Sequence, residues 1–188
     1  MIKSFVNFPV IIPVYCDIGV ISQEETFSIA SSTRGEFIKK IVSEKESAKL
    51  SSNSVLYINT TKRGEESADI SNLLSLLAPR MPDSLARAFE NKYMLGIYSA
   101  ETNQPFIILT TKDFPSSYSG MLKWEKDMAS DVGRLFTADM GLASSTFSDE
   151  AAQNKDLRVL KDVNKKTVLL YSFVDKNTLI IVGDESVL

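Results

Sequence analysis

Between residues 93 and 136 the hydrophobic rhythm of the chain changes twice. Apolar runs of strand length at 93–99 and 105–111 flank a polar stretch at 100–104, and a helical period then runs from about Ser117 to Phe136. The spacing predicts strand, hairpin turn, strand and one long helix. On a wheel of about 100° per residue, Tyr118, Met121, Leu122, Met128, Ala129, Val132 and Phe136 share one face. Glu125 falls near the middle of that face, beside Trp124, the only tryptophan. A carboxylate in an apolar stripe must be paired, protonated or reaching for water.

The remaining elements follow from the same reasoning. A first strand is expected at 26–30. Thr33 and Glu36 have capping-box spacing, and the helix behind them turns Phe37, Ile38, Ile41 and Val42 inward as far as about Lys49. The continuous apolar run 55–58 reads as a central strand. Asp69 is the expected N-cap of a second helix with Ile70, Leu73, Leu74 and Leu77 inward. Pro79 stops it, and Pro82 opens a short helix ending near Phe89. Residues 137–150 lack any period and read as a loop, followed by a meander of strands at 157–160, 167–174 and 178–182. The order β-α-β-α-β-β-α-β-β-β predicts an α+β two-layer sandwich, with a mixed sheet of about six to seven strands and three main helices. Residues 1–22 are expected as an extended segment and 23–188 as a single domain. Asp184 to Leu188 resembles the first turn of a helix, so the natural chain is expected to continue.

Composition narrows the chemistry. The 188 residues carry a net charge of −3, and the basic residues are interspersed with acids, so no basic field for nucleic acid is expected. There is no histidine. Ser–His and Cys–His nucleophilic pairs and His-ligated zinc are therefore excluded. The single cysteine, Cys16, sits in an apolar run and is expected to be a buried, inert thiol. That run, 5–16, is too short for a membrane span and is broken by Asn7, Pro9 and Pro13.

Several motifs together carry a family likeness. Met81-Pro82 with Ser84, Leu85, Arg87 and Phe89, the Tyr93-Met94-Leu95-Gly96-Ile97 strand, Gln104-Pro105-Phe106, Gly120-Met121-Leu122 with Trp124-Glu125, and Leu169 to Leu179 resemble an uncharacterised bacterial family. Its members are single-span membrane-anchored proteins of candidate-phyla (Patescibacteria-type) bacteria. The likeness covers about residues 25–188. It implies a C-terminal domain on the extracytoplasmic side of the membrane, held there by an anchor this chain lacks; a natively unanchored chain would be cytoplasmic. It implies no catalytic residue.

Glu125 has two readings, a desolvated general acid or base and a structural tie accepting hydrogen bonds from a neighbouring Tyr, Lys or backbone amide. Trp124 reads as core or as an aromatic on a contact surface. Asp149, Glu150, Asp156, Asp162 and Asn154 could supply oxygens to a hard cation, but they lack EF-hand spacing. Lys62-Arg63-Gly64 has no Walker spacing, and 116–120 could open a helix towards an anion. No cofactor or metal is expected. The expected function is a non-enzymatic envelope domain acting in protein or surface interaction, through a protein partner or self-association. The rivals are a small carboxylate- and lysine-based hydrolase or ligand-binding enzyme, and a self-assembling structural module.

Overall fold

A computed structural model describes residues 20–30, 32–62, 68–138, 146–152 and 154–188. Eight strands form one sheet: β1 (Val20–Ser28), β2 (Ser54–Thr61), β3 (Phe89–Ser99), β4 (Asn103–Thr111), β5 (Ser148–Ala152), β6 (Lys155–Lys161), β7 (Thr167–Phe173) and β8 (Thr178–Val182). Their spatial order is β1-β2-β3-β4-β8-β7-β6-β5. Only β1 and β2 run parallel, and every other neighbouring pair is antiparallel. The sheet is therefore mixed and the architecture α+β. Four α-helices accompany it: α1 (Arg34–Ser47), α2 (Ile70–Leu77), α3 (Asp83–Ala88) and α4 (Phe114–Phe136).

Period-two alternation divides each central strand between two cores. Leu95 and Ile97, Ile107 and Leu109, Leu179 and Ile181 point to the face that packs the buried residues of all four helices, including Phe37, Leu73, Leu85 and Trp124. Met94, Phe106, Ile108, Ile180 and Val182 point to the opposite face, where they cluster with Val55, Val159, Leu170 and Val187 of the terminal 3-10 turn Glu185–Val187. A strand buried on both sides reads as a continuous apolar run, as β8 (TLIIV) does.

Three departures from the expected layout have local causes. The sheet has eight strands, because β5 (SDEAA) lies within and beyond the expected loop. Its residues are largely exposed and carry no apolar alternation, so it joins the sheet through pairing with β6 and not through burial. β1 begins at Val20, inside the segment expected to be an extended arm; as an edge strand it tolerates exposed Glu24 and Glu25 while Phe27 is buried in the helix-side core and Ile21 packs, half-buried, against the opposite one. Residues 1–19, with Cys16, lie outside the described residues, as do 63–67 and 139–145. The short Pro82-led helix is present as α3, which with β5 changes the order from the expected β-α-β-α-β-β-α-β-β-β to β-α-β-α-α-β-β-α-β-β-β-β, with four α-helices among the described residues.

Local chemistry sets the helix ends. Thr33 and Glu36 form the capping box of α1. Asp69 occupies the N-cap position of α2 without capping it. Instead Asn91, on β3, accepts from Ile70 N at 2.7 Å and donates from Nδ2 to Asp69 Oδ1 at 2.7 Å. A strand residue thus does the work the sequence assigns to the helix's own cap. At Gly120 a Cβ would meet Leu85 Cβ at 2.8 Å, so the bare backbone lets α3 press onto α4.

Candidate functional site

Helix α4 crosses the sheet with a rotated buried face. Ser117, Gly120, Met121, Trp124, Met128, Asp131, Val132 and Leu135 are buried, while Tyr118 and Leu122 are each 41% exposed. The stripe is centred on Trp124 because α3 fills the side facing Gly120, and Glu125 moves from the middle of the face to its margin.

At that margin Glu125 meets the sheet. Arg158, on β6, donates from Nε to Glu125 Oε1 and from Nη2 to Oε2, both at 2.8 Å. Tyr171, on β7, donates its hydroxyl to Oε1 at 2.7 Å. Arg158 also donates from Nη1 to Asp149 Oδ1 at 2.8 Å and from Nη2 to the Phe147 carbonyl at 3.5 Å. Asp149 and Arg158 are direct cross-strand partners in the β5–β6 register. The side chains of Arg158 and Glu125 are only 18% and 14% exposed, so the fork operates with little water. The hydrogen bond to Glu125 holds the Arg158 guanidinium still further above its ordinary range. Burial, and then the same carboxylate, push the Tyr171 phenol well above its own. Both oxygens of Glu125 are engaged, so moving a proton through this carboxylate would first require parting it from a guanidinium.

Trp124 lies in the core, 1% exposed, and donates its indole N–H to Asp131 Oδ2 at 2.9 Å. Asp131, itself 1% exposed, also accepts from Arg80 N at 3.1 Å and lies 3.7 Å from Arg80 Nη1. Arg34 donates to the carbonyls of Ser130 and Asp131. Trp124 therefore contributes to no surface; it ties α4 to the turn between α2 and α3. Asp131 was legible only as a carboxylate seven residues along the helix from a tryptophan, where the two fall on one face.

The exposed margin of α4 carries a different group. Phe114, Tyr118 and Phe173 of β7 pack their rings at centroid distances of 5.0 Å (Phe114–Phe173), 5.8 Å (Phe114–Tyr118) and 6.0 Å (Tyr118–Phe173). Leu122 continues the row one turn on from Tyr118, and Glu125 closes it. Among the described residues only Tyr118, Leu122 and Val163 are large hydrophobic side chains with exposed character, and two of these three stand in this row.

The acids near β5 and β6 have local roles. Glu150 pairs with Lys161 at 2.7 Å, and Asp162 accepts from Asn164 N and Lys166 N within its turn. No metal-binding group of three or more His, Cys, Asp or Glu occurs among the described residues. The start of α4 is taken by Asp113, which accepts from Ser116 Oγ at 2.6 Å and from Ser116 N at 3.5 Å. Lys62 is described, but Arg63 and Gly64 lie outside the described residues.

Compared with models of protein families, with curated proteins and with solved structures, the chain matches none. Among the described residues, no helix is long and apolar enough to cross a membrane.

Proposed function

We propose that this is a non-catalytic interaction domain that receives a protein partner on the Tyr118–Leu122 row of α4. The observation that carries the reading is the row itself. Aromatic side chains already locked against one another lose little conformational freedom when a partner covers them. Phe114 and Phe173 support Tyr118 from two elements, which gives an anchor of this kind. The engagement of both Glu125 oxygens favours a structural over a catalytic use of this carboxylate. By family resemblance, the domain acts on the extracytoplasmic side of a bacterial membrane.

A photo-crosslinking amino acid at position 118, introduced in cells that make the protein, tests this. The expected result is a discrete adduct with a second protein, absent when the same probe replaces Val163, which is 76% exposed in the β6–β7 turn, and lost on Leu122→Asp. An adduct with a second copy of the chain would move the reading to self-assembly. Equal labelling from both positions, or none from 118, would overturn it.

A further inference from the structure

At the other end of α4, its last turn and the first turns of α1 enclose an open groove of about 450 Å³. Its floor is aliphatic, formed by Ile38 and Val42, one turn apart on α1. Gly35 leaves the wall without a side chain, and a Cβ there would meet nothing within 4 Å. The charged groups of the lining are all cationic: Arg34, Lys39 and Arg134. This stands against a chain whose net charge is −3. Among the described residues, the neighbouring acids are committed elsewhere. Glu36 accepts from Thr33 N and Oγ1 in the capping box, and Asp131 is turned to Trp124 and Arg80. Arg34 spends its donors on main-chain carbonyls, and among the described residues no carboxylate pairs with its charge. Among the described residues, neither Lys39 nor Arg134 forms an ion pair.

We propose that this groove docks an acidic, aliphatic peptide segment of a partner protein. An aliphatic side chain lies on Ile38 and Val42, and flanking carboxylates meet Lys39 and Arg134. The volume lies within the range of ligand sites, but the open shape suits a segment that passes across the surface. Complementary charge sets which segments are admitted and steers their approach. The inference rests on the interaction reading and adds the partner's chemistry at a second surface. Its test does not involve the Tyr118 row, so either can fail alone.

An amide NMR titration of the full chain with an acetylated pentapeptide of alternating Glu and Leu reads the site through the Gly35 amide. Saturable shifts at Gly35 and along α1 are expected, weakening as salt screens the charges. The same peptide with Gln for Glu should bind roughly tenfold more weakly, and so should the Lys39→Gln/Arg134→Gln variant with the original peptide. Both substituted side chains are exposed, so thermal unfolding of the variant should match the parent and separate lost binding from lost fold. Equal binding of the Gln peptide, undiminished binding by the variant, shifts confined to other surfaces, or no shift at millimolar peptide would each overturn the proposal.

Discussion

Arg158 and Glu125 meet through two parallel hydrogen bonds of 2.8 Å, one to each carboxylate oxygen. The pair joins the middle of α4 to β6, and Tyr171 adds a third donor from β7. The carboxylate is thus a fastening between the layers of the fold, and removing either member leaves the other poorly solvated.

Glu125→Ala should therefore cost about 2–3 kcal/mol in urea unfolding, because it leaves a guanidinium that is only 18% exposed with Asp149 and the Phe147 carbonyl alone. Arg158→Ala should cost a similar amount. The double variant should cost much less than the sum, since each single change already breaks the same contact. Additive losses would show that the two side chains contribute independently and that the fork carries no coupling.

The second prediction concerns the start of α2. Asn91→Ala removes the acceptor for Ile70 N and the donor to Asp69, and should destabilise by about 1 kcal/mol, as loss of a helix cap does. Asp69→Ala should cost less, since its side chain makes no cap hydrogen bond. The reverse ranking would return the capping role to Asp69.

Glycine supplies a paired test of packing. Gly120→Ala would bring a methyl group to 2.8 Å from Leu85 Cβ and should destabilise by about 1–3 kcal/mol through overpacking of α3 on α4. Gly35→Ala meets open space in the first turn of α1 and should be neutral or stabilise by up to about 1 kcal/mol through helix propensity. Chemical denaturation of the two variants side by side measures both signs.

Much of this fold is legible in the chain because its central elements bury themselves in simple rhythms. The β3–β4 hairpin, the Thr33–Glu36 capping box and the β6–β7–β8 meander all announce themselves locally. β5 does not, since SDEAA is held by backbone pairing and by Asp149 and Glu150 reaching across to Arg158 and Lys161. The partners of Glu125 are equally hidden, 33 and 46 residues away along the chain. One signal did exist. Arg158 alternates with Leu157 and Val159, so it must face the side opposite theirs, the side that carries α4. The rotation of α4 had no local signal at all: Gly120 looks like a weak point in a helix until Leu85 is seen to fill it.

Alkaline pH should unfold the domain through its buried phenols. Burial raises Tyr57 to about 12, and also raises Tyr93 and Tyr171. In each case the folded state prefers the neutral phenol, whereas the unfolded phenol ionises near 10. The stability they contribute is therefore fully present below about pH 10 and is lost as pH rises from there towards the folded values. Lys45 works in the opposite sense, because burial lowers its amine and the unfolded chain binds the extra proton just below the ordinary lysine range. That single opposing group cannot offset three phenols, because its own contribution levels off once the pH passes the ordinary lysine range while theirs is still being lost. Urea midpoints should hold nearly constant up to about pH 9.5 and then fall, with tyrosinate absorbance from these residues rising together with the loss of helix. Tyr57→Phe should flatten part of the fall. A midpoint that stays level to pH 11 would mean that the phenols ionise without penalty in the folded chain.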